Sequence, residues 1–153
     1  MQILQLDIRD PMIAEEIWRL QHKAYAVEAQ LIRFQAIPPL LDTVATLQSC
    51  EETFYGIRIE DELAAAISCE ITDHAVTICR MMVHPEHFRK GYAKLLLAEF
   101  ERRNETADSF IVSTASANYP AVRLYEATGF SATKVWEPLP GLQLTQFKKV
   151  VST

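Results

Sequence analysis

The segment from Val76 to Arg103 constrains the fold most. It contains an apolar stretch, a short loop with Pro85, a basic turn that ends in Gly91, and an amphipathic stretch. A strand leading through such a turn into a helix presents backbone N–H groups and the positive end of the helix dipole to an anion. Glycine lets the backbone approach closely. The segment therefore predicts a phosphate or pyrophosphate site, although a solvated turn has the same pattern. The basic residues of the turn and helix start are Arg89, Lys90 and Lys94.

A second informative segment runs from Ser109 to Phe130. Its first six residues are typical of a buried strand. Asn118 is a favourable helix N-cap, and Pro120 suits the first turn of a helix. Gly129 stands where a left-handed residue commonly ends a helix. This pattern predicts a strand, a turn and a helix. The residues expected on one face of that helix are Ala121, Leu124, Tyr125 and Thr128.

Together the two segments resemble the GNAT superfamily of N-acetyltransferases. The family's acetyl-CoA motif, Gln/Arg-x-x-Gly-x-Gly/Ala, has its counterpart in Phe88 to Ala93. Phe88 departs from the motif, because the basic residue stands one place later, at Arg89. The later family motif is Asn-x-x-Ala-x-x-Leu-Tyr-x-x-x-Gly-Phe. Its matches here are Asn118, Ala121, Leu124, Tyr125, Gly129 and Phe130.

The resemblance implies that acetyl-CoA is a cosubstrate and that an acetyl group passes to a primary amine by direct attack in a ternary complex. It also implies a backbone N–H near the end of the fourth strand, at Met82 or Val83, that stabilises the oxyanion. The alternative is a non-catalytic acyl-CoA sensor or interaction module with the same fold. An ATP site is less consistent, because the loop lacks a Gly-Lys-Ser/Thr ending. The expected cofactor-binding residues are Met82, Val83, Phe88, Arg89, Lys90, Gly91, Tyr92, Ala93, Lys94, Asn118 and Tyr125.

Tyr125 is the candidate acid for the departing CoA thiolate, since a phenol stays protonated at pH 7. It matches the family's Leu-Tyr position, but it could also be a core aromatic residue. Glu70 is the best side-chain candidate for the base, with His84 second and a water relay as an alternative. Arg80 could hold an acceptor carboxylate or could be a surface or salt-bridged residue.

Composition limits the partners. A net charge of -5 argues against nucleic acid, and no apolar run approaches the roughly 20 residues that span a bilayer. The N-terminus does not resemble a signal peptide, so the expected location is the cytoplasm. The histidines show no metal-ligand pattern, so no metal is expected. Cys50, Cys69 and Cys79 are expected to be free, with Cys69 and Cys79 in the core.

The 153 residues are expected to form one domain, with a possible homodimer through the last strands. The fold class is α/β in layers: a mixed, mostly antiparallel sheet flanked by helices. The resemblance adds that the sheet splays between its fourth and fifth strands. Strands are expected at 1–7, 53–59, 63–72, 75–83, 109–114, 130–136 and 142–149. Helices are expected at 10–27, 40–48, 91–103 and 118–128.

Overall fold

The computed structural model describes residues 3–151, so the predicted first strand is described only from Ile3 onward. The seven strands are β1 (Ile3–Leu6), β2 (Thr53–Ile59), β3 (Glu62–Thr72), β4 (Ala75–Val83), β5 (Ser109–Ala115), β6 (Ser131–Leu139) and β7 (Leu142–Val150). The four α-helices are α1 (Pro11–Ile32), α2 (Val44–Ser49), α3 (Tyr92–Arg103) and α4 (Tyr119–Ala127). Single 3-10 turns occur at Pro38–Leu41 and Pro85–His87. Each predicted element is present, in the predicted order.

The strands form one sheet in the order β1-β2-β3-β4-β5-β7-β6. Every neighbouring pair is antiparallel except β4 and β5, which are parallel and joined by α3. The β2–β3 and β3–β4 hairpins turn tightly because Asp61 and Asp73 adopt left-handed φ angles of 66° and 56°. The predicted mixed and mostly antiparallel sheet is confirmed.

The sheet splits between β4 and β5. Their pairing covers only Ala75–Ile78 against Ser109–Val112, after which the two strands have no common ladder. At the same place the β3–β4 register shifts, and Cys79 is the additional residue on β4. A bulge of this kind bends its strand and increases its twist. The bend accounts for the splay that the family resemblance implied.

Helices cover both faces of the sheet. On one face, α3 and α4 pack through Leu96, Phe100 and Tyr125 onto the middle of the sheet. On the other face, α1 and α2 pack through Ile17 and Leu47. At the split, the last turns of α1 meet the start of α4, although the two helices belong to opposite faces. The gap between β4 and β5 is therefore lined from both sides of the sheet.

The longest helix, α1, begins as predicted and ends later than predicted. Asp10 caps it by accepting from the Met12 N–H at 2.9 Å. It continues past Val27 to Ile32 and ends at Arg33, which has a φ of 57°. Val27, the last residue of the predicted helix, is exposed. The predicted end at residue 27 was wrong, because neither glycine nor proline interrupts the chain before Pro38.

Two smaller findings complete the fold. All three cysteines are free, but Cys79 is exposed because it stands at the bulge, so its predicted core position was wrong. Cys69 is buried as expected. Among residues 3–151, no helix combines the length and the apolar character that crossing a bilayer would require.

Candidate functional site

The loop before α3 has the geometry of an anion site. Arg89 and Gly91 both adopt left-handed backbone angles, with φ of 63° and 80°. Gly91 is the N-cap of α3 and supplies no side chain to cap the helix. Within residues 3–151, no protein acceptor pairs with the backbone N–H groups from Arg89 to Lys94. These amides and the helix dipole, together with three exposed basic side chains, suit a diphosphate.

The end of β4 presents backbone groups to the gap. The His84 N–H donates to the Ala64 carbonyl on β3 at 2.7 Å. Because hydrogen-bonding direction alternates along a strand, the amides of Met81 and Val83 face away from β3 and toward the gap. The Met82 amide faces β3 instead. Of the two predicted oxyanion donors, the geometry therefore favours Val83.

The start of α4 lies on the other side of the gap. Asn118 caps the helix, since its Oδ1 accepts from the Ala121 N–H at 3.3 Å. Tyr125 is 2% exposed and packs against Phe130 and Phe147, with ring centroids 5.5 and 5.9 Å away. In the described part of the chain its hydroxyl has no hydrogen-bond partner. Burial, with smaller contributions from Tyr25 and Glu28, raises the pKa of Tyr125, so the phenol stays protonated.

The last turns of α1 contribute two residues that the sequence did not single out. The Tyr25 hydroxyl lies 3.4 Å from both the N and the O of Met81. The Glu28 carboxylate accepts a hydrogen bond from the Asn118 Nδ2. Burial raises the pKa of Glu28, and the Asn118 bond offsets this only in part. We call Tyr25, Glu28, Asn118 and Tyr125 the Glu28 cluster.

A sequence signal for these residues exists in hindsight. Gln21, Tyr25 and Glu28 are spaced by four and three residues, so they lie on one face of α1. That face continues the buried stripe of Ala14 and Ile17 toward the sheet. Polar residues on the core-facing stripe of a helix require partners inside the protein.

Arg80 lies in a second polar cluster on the same face of the sheet. Its guanidinium makes four hydrogen bonds, at 2.6 Å to Asp42, 2.9 Å to Gln21, and 2.9 and 3.0 Å to the two oxygens of Glu52. These carboxylates raise the pKa of Arg80 despite the opposing effect of burial. Four of five N–H donors are thus used within the protein, which does not favour the predicted role in binding an acceptor carboxylate. We call Arg80, Asp42, Glu52 and Gln21 the Arg80 cluster.

The structure does not bring Glu70 to the gap. Glu70 on β3 lies opposite Thr77 on β4. The residue opposite Val83, at the end of β4 beside the gap, is Ala65. Five residues of strand separate Glu70 from Ala65, or about 16 Å at the usual rise per residue. Glu70 is exposed beside Glu52 and Cys79, whose ligand atoms lie within 4.8 Å of one another and of Glu70. Because Arg80 already binds both oxygens of Glu52, these three residues are poorly suited to bind a metal ion.

His84, the second candidate base, is tied to its own turn. Its Nδ1 accepts from the Glu86 N–H at 3.1 Å. The ring also stands edge-on to His87, with centroids 5.9 Å apart. Val83 and the loop before α3 thus lie at the end of β4, and Asn118 lies just after β5, while Glu70 and Arg80 lie in other surroundings.

A mixed sheet that splits between its fourth and fifth strands and is flanked by helices is the fold that this chain shares with solved acetyltransferases. The sequence model of the Acetyltransferase (GNAT) family matches residues 13–130. This chain belongs to that family, which confirms the resemblance drawn from the two motifs.

Individual proteins agree with this assignment. The UPF0157 protein YqkA of Bacillus subtilis (strain 168) is 39% identical over 142 residues, or 93% of this chain and 41% of that protein. The chain thus spans about two fifths of that relative's length. The ribosomal-protein-S18-alanine N-acetyltransferase of Escherichia coli matches with a TM-score of 0.79 at 17% identity, covering 99% of this chain and 94% of that one. The PaiA N-acetyltransferase of Thermoplasma acidophilum, solved in complex with coenzyme A, matches with a TM-score of 0.68 at 19% identity, covering 98% of each chain. These two likenesses concern the fold.

Proposed function

We propose that the chain is an acetyl-CoA-dependent N-acetyltransferase that moves the acetyl group to a primary amine by direct attack in a ternary complex. One observation carries the proposal. The paired part of β4 and β5 ends at Ile78 and Val112, and the helix that follows each strand carries polar groups without a protein partner within residues 3–151: the first backbone amides of α3 and the hydroxyl of Tyr125 on α4. Membership of the acetyltransferase family supports it.

The residues around the gap fit the parts of the cosubstrate. Amides from Arg89 to Lys94 would hold the pyrophosphate, and Phe88, which stands in the motif's first position, is exposed at the loop. The pantetheine arm would follow the gap, where Asn118 lies at the start of α4. Acetyl-CoA supplies an activated thioester, and the chain's task is to orient it toward the acceptor.

The chemistry makes three demands on the chain. An alkyl ammonium must lose a proton, which costs roughly 4–5 kcal/mol at pH 7. The attacked carbonyl then develops an oxyanion, which the Val83 N–H is oriented to stabilise. Finally the thiolate leaves, and Tyr125 donates a proton to it. The pKa of Tyr125 is raised by burial, so the phenol holds its proton until the sulfur becomes basic.

Release of free thiol from acetyl-CoA tests the proposal. The purified protein is incubated with acetyl-CoA and, separately, with spermidine, tyramine, alaninamide and alanine. We expect thiol release that depends on the amine, with the acetylated amine identified by mass spectrometry. Calorimetric binding of coenzyme A without release for any amine would instead favour a non-catalytic acyl-CoA sensor.

Gly91 provides a test of the anion site. Gly91→Val forces a β-branched residue into a left-handed conformation, and we expect at least a tenfold loss of coenzyme A affinity by calorimetry. Gly141→Val is the matched control, because Gly141 also has a positive φ, of 86°, and open space around its Cβ, but lies in the β6–β7 turn. Equal affinity of the two variants would show that the loop does not bind the cofactor.

A further inference from the structure

Glu28 is a half-buried acid without a cation partner in the described chain. Its Oε1 accepts from Asn118, and among residues 3–151 no donor reaches Oε2. No lysine, arginine or histidine of the described chain forms an ion pair with it. The other two acids of the same helix each have a cation, since Glu15 pairs with Arg19 and Glu16 with Arg58. The helix therefore carries one carboxylate whose charge the protein leaves uncompensated.

The surroundings of Glu28 point to the gap. The charge of Glu28 acts on both Tyr25 and Tyr125, and it raises the pKa of each after the larger effect of burial. The Tyr25 hydroxyl in turn contacts the Met81 backbone, on the edge of β4 that faces the gap. Glu28 is thus near the acid proposed for the leaving thiolate and near the strand that would hold the thioester carbonyl.

The carboxylate is not needed to join α1 to α4. A neutral amide oxygen at position 28 would accept the same hydrogen bond from Asn118, and it would avoid the cost of burying a charge. Groups with strongly perturbed surroundings concentrate at functional sites. A half-buried carboxylate with one oxygen that no donor of residues 3–151 contacts, held against the start of α4, is suited to a cationic ligand.

We propose that Glu28 is the general base of the transfer reaction, binding the acceptor's ammonium group through Oε2 and taking its proton. This role rests on the proposed acetyltransferase function. The ammonium N–H bond breaks, and its proton goes to Glu28. The nitrogen lone pair forms the N–C bond, the C–S bond breaks, and the sulfur takes the proton of Tyr125. The phenolate recovers the remaining surplus proton of the nitrogen, and Glu28 releases its proton to solvent.

The same surroundings limit the acceptor. The titratable groups around Glu28 are Tyr25 on its own helix and Tyr125 on α4, and His84 and His87 lie in the turn that packs against α1. Arg80 is held by Glu52 and Asp42. Glu28 attracts a cation and would repel a second carboxylate beside it, so the acceptor class we expect is a primary amine without a carboxylate on the adjacent carbon.

Glu28→Gln tests the role while keeping the oxygen that Asn118 contacts. With the most active amine, we expect a loss in kcat of about 100-fold and an unchanged KM for acetyl-CoA. The kcat/KM profile of the wild type should fall below the pKa of Glu28. In the variant it should instead rise with pH toward the pKa of the amine, near 10.4 for an alkylamine. Glu15→Gln, an exposed change on the same helix, is the control and should match the wild type.

The outcomes separate the two proposals. If the wild type binds coenzyme A and acetylates none of the four amines, the transferase function and the role of Glu28 both fail. If the wild type is active and Glu28→Gln keeps its rate and its acid limb, the transferase stands and Glu28 is not the base. If Glu28→Gln fails to bind coenzyme A, the pH profile of Glu28→Asp decides. A general base at position 28 sets the acid limb of the kcat/KM profile, so replacing Glu by Asp should move that limb. An unmoved limb overturns the proposal. Equal rates with alanine and alaninamide would overturn the acceptor class.

Discussion

Two polar clusters on the same helix are built in opposite ways. Helix α1 places Gln21 in the Arg80 cluster and, two turns later, Glu28 in the Glu28 cluster. In the first, one arginine joins two carboxylates and an amide with four hydrogen bonds. In the second, one carboxylate has a single amide donor and two tyrosines nearby. The Arg80 cluster pairs its cation with carboxylates of the protein. The Glu28 cluster leaves its carboxylate available to a cation from outside the chain.

Opposite pKa directions follow from this difference. Burial alone would raise the pKa of Asp42, but hydrogen bonds from Thr46, Arg80 and Gln21 outweigh it and lower the pKa. Burial also raises the pKa of Glu28, and there the single bond from Asn118 does not reverse the effect. Folding therefore favours the charged form of Asp42 and the neutral form of Glu28. A cluster that stabilises the fold can be distinguished from one kept for chemistry by removing each charge in turn.

The largest expected effect is on stability in the Arg80 cluster. Arg80→Met leaves Glu52 and Asp42 without their cation, and we expect a loss of about 3–5 kcal/mol in the free energy of unfolding. Urea denaturation measures it. Arg19→Met is the control, because Arg19 pairs with Glu15 on the exposed face of α1 and should lose less than about 0.5 kcal/mol. A loss as small as the control's would mean that the Arg80 cluster contributes nothing to the fold.

Tyr125→Phe should affect turnover and leave the fold intact. The hydroxyl contacts no acceptor in the described residues, so its removal should change the unfolding free energy by less than about 0.5 kcal/mol. Loss of the acid should lower kcat by 30- to 100-fold, or about 2–2.7 kcal/mol in the barrier. The initial rate of thiol release at saturating substrates measures kcat, and calorimetry should give an unchanged affinity for coenzyme A. An unchanged kcat would show Tyr125 to be a core residue only.

The parts of this site that depend on local signals could be predicted from the sequence. The left-handed Gly129, the Asn118 cap and the order of strand, loop and helix are properties of short segments, and the structure has each of them. The sheet class followed from the order of the elements. The splay itself came from the family resemblance, since no periodicity reveals where two parallel strands separate.

What escaped prediction depends on distant residues. Glu28 meets Asn118 across 90 positions of sequence, and only because α1 runs on to Ile32 beside the split. Its spacing from Gln21 and Tyr25 places Glu28 on the sheet-facing side of α1, but the sequence does not indicate which residue it meets there. Arg80 finds Asp42 and Glu52 from two separate loops, 38 and 28 positions away. An arginine in an apolar strand indicated a buried partner or a ligand, but only the tertiary fold selects the partner.

The smallest expected effect is an increase in stability. Because the pKa of Glu28 is raised in the folded state above its ordinary value of 4.5, the wild type loses stability as pH rises from 4.5 through the folded pKa. Glu28→Gln has no charge to lose, so it should match the wild type near pH 4 and exceed it by about 1 kcal/mol at pH 7. Urea denaturation at both pH values measures the difference, with Glu15→Gln as the control. A variant less stable than the wild type at pH 7 would mean that the Glu28 charge supports the fold as the Arg80 cluster does, and the contrast between the two clusters would disappear.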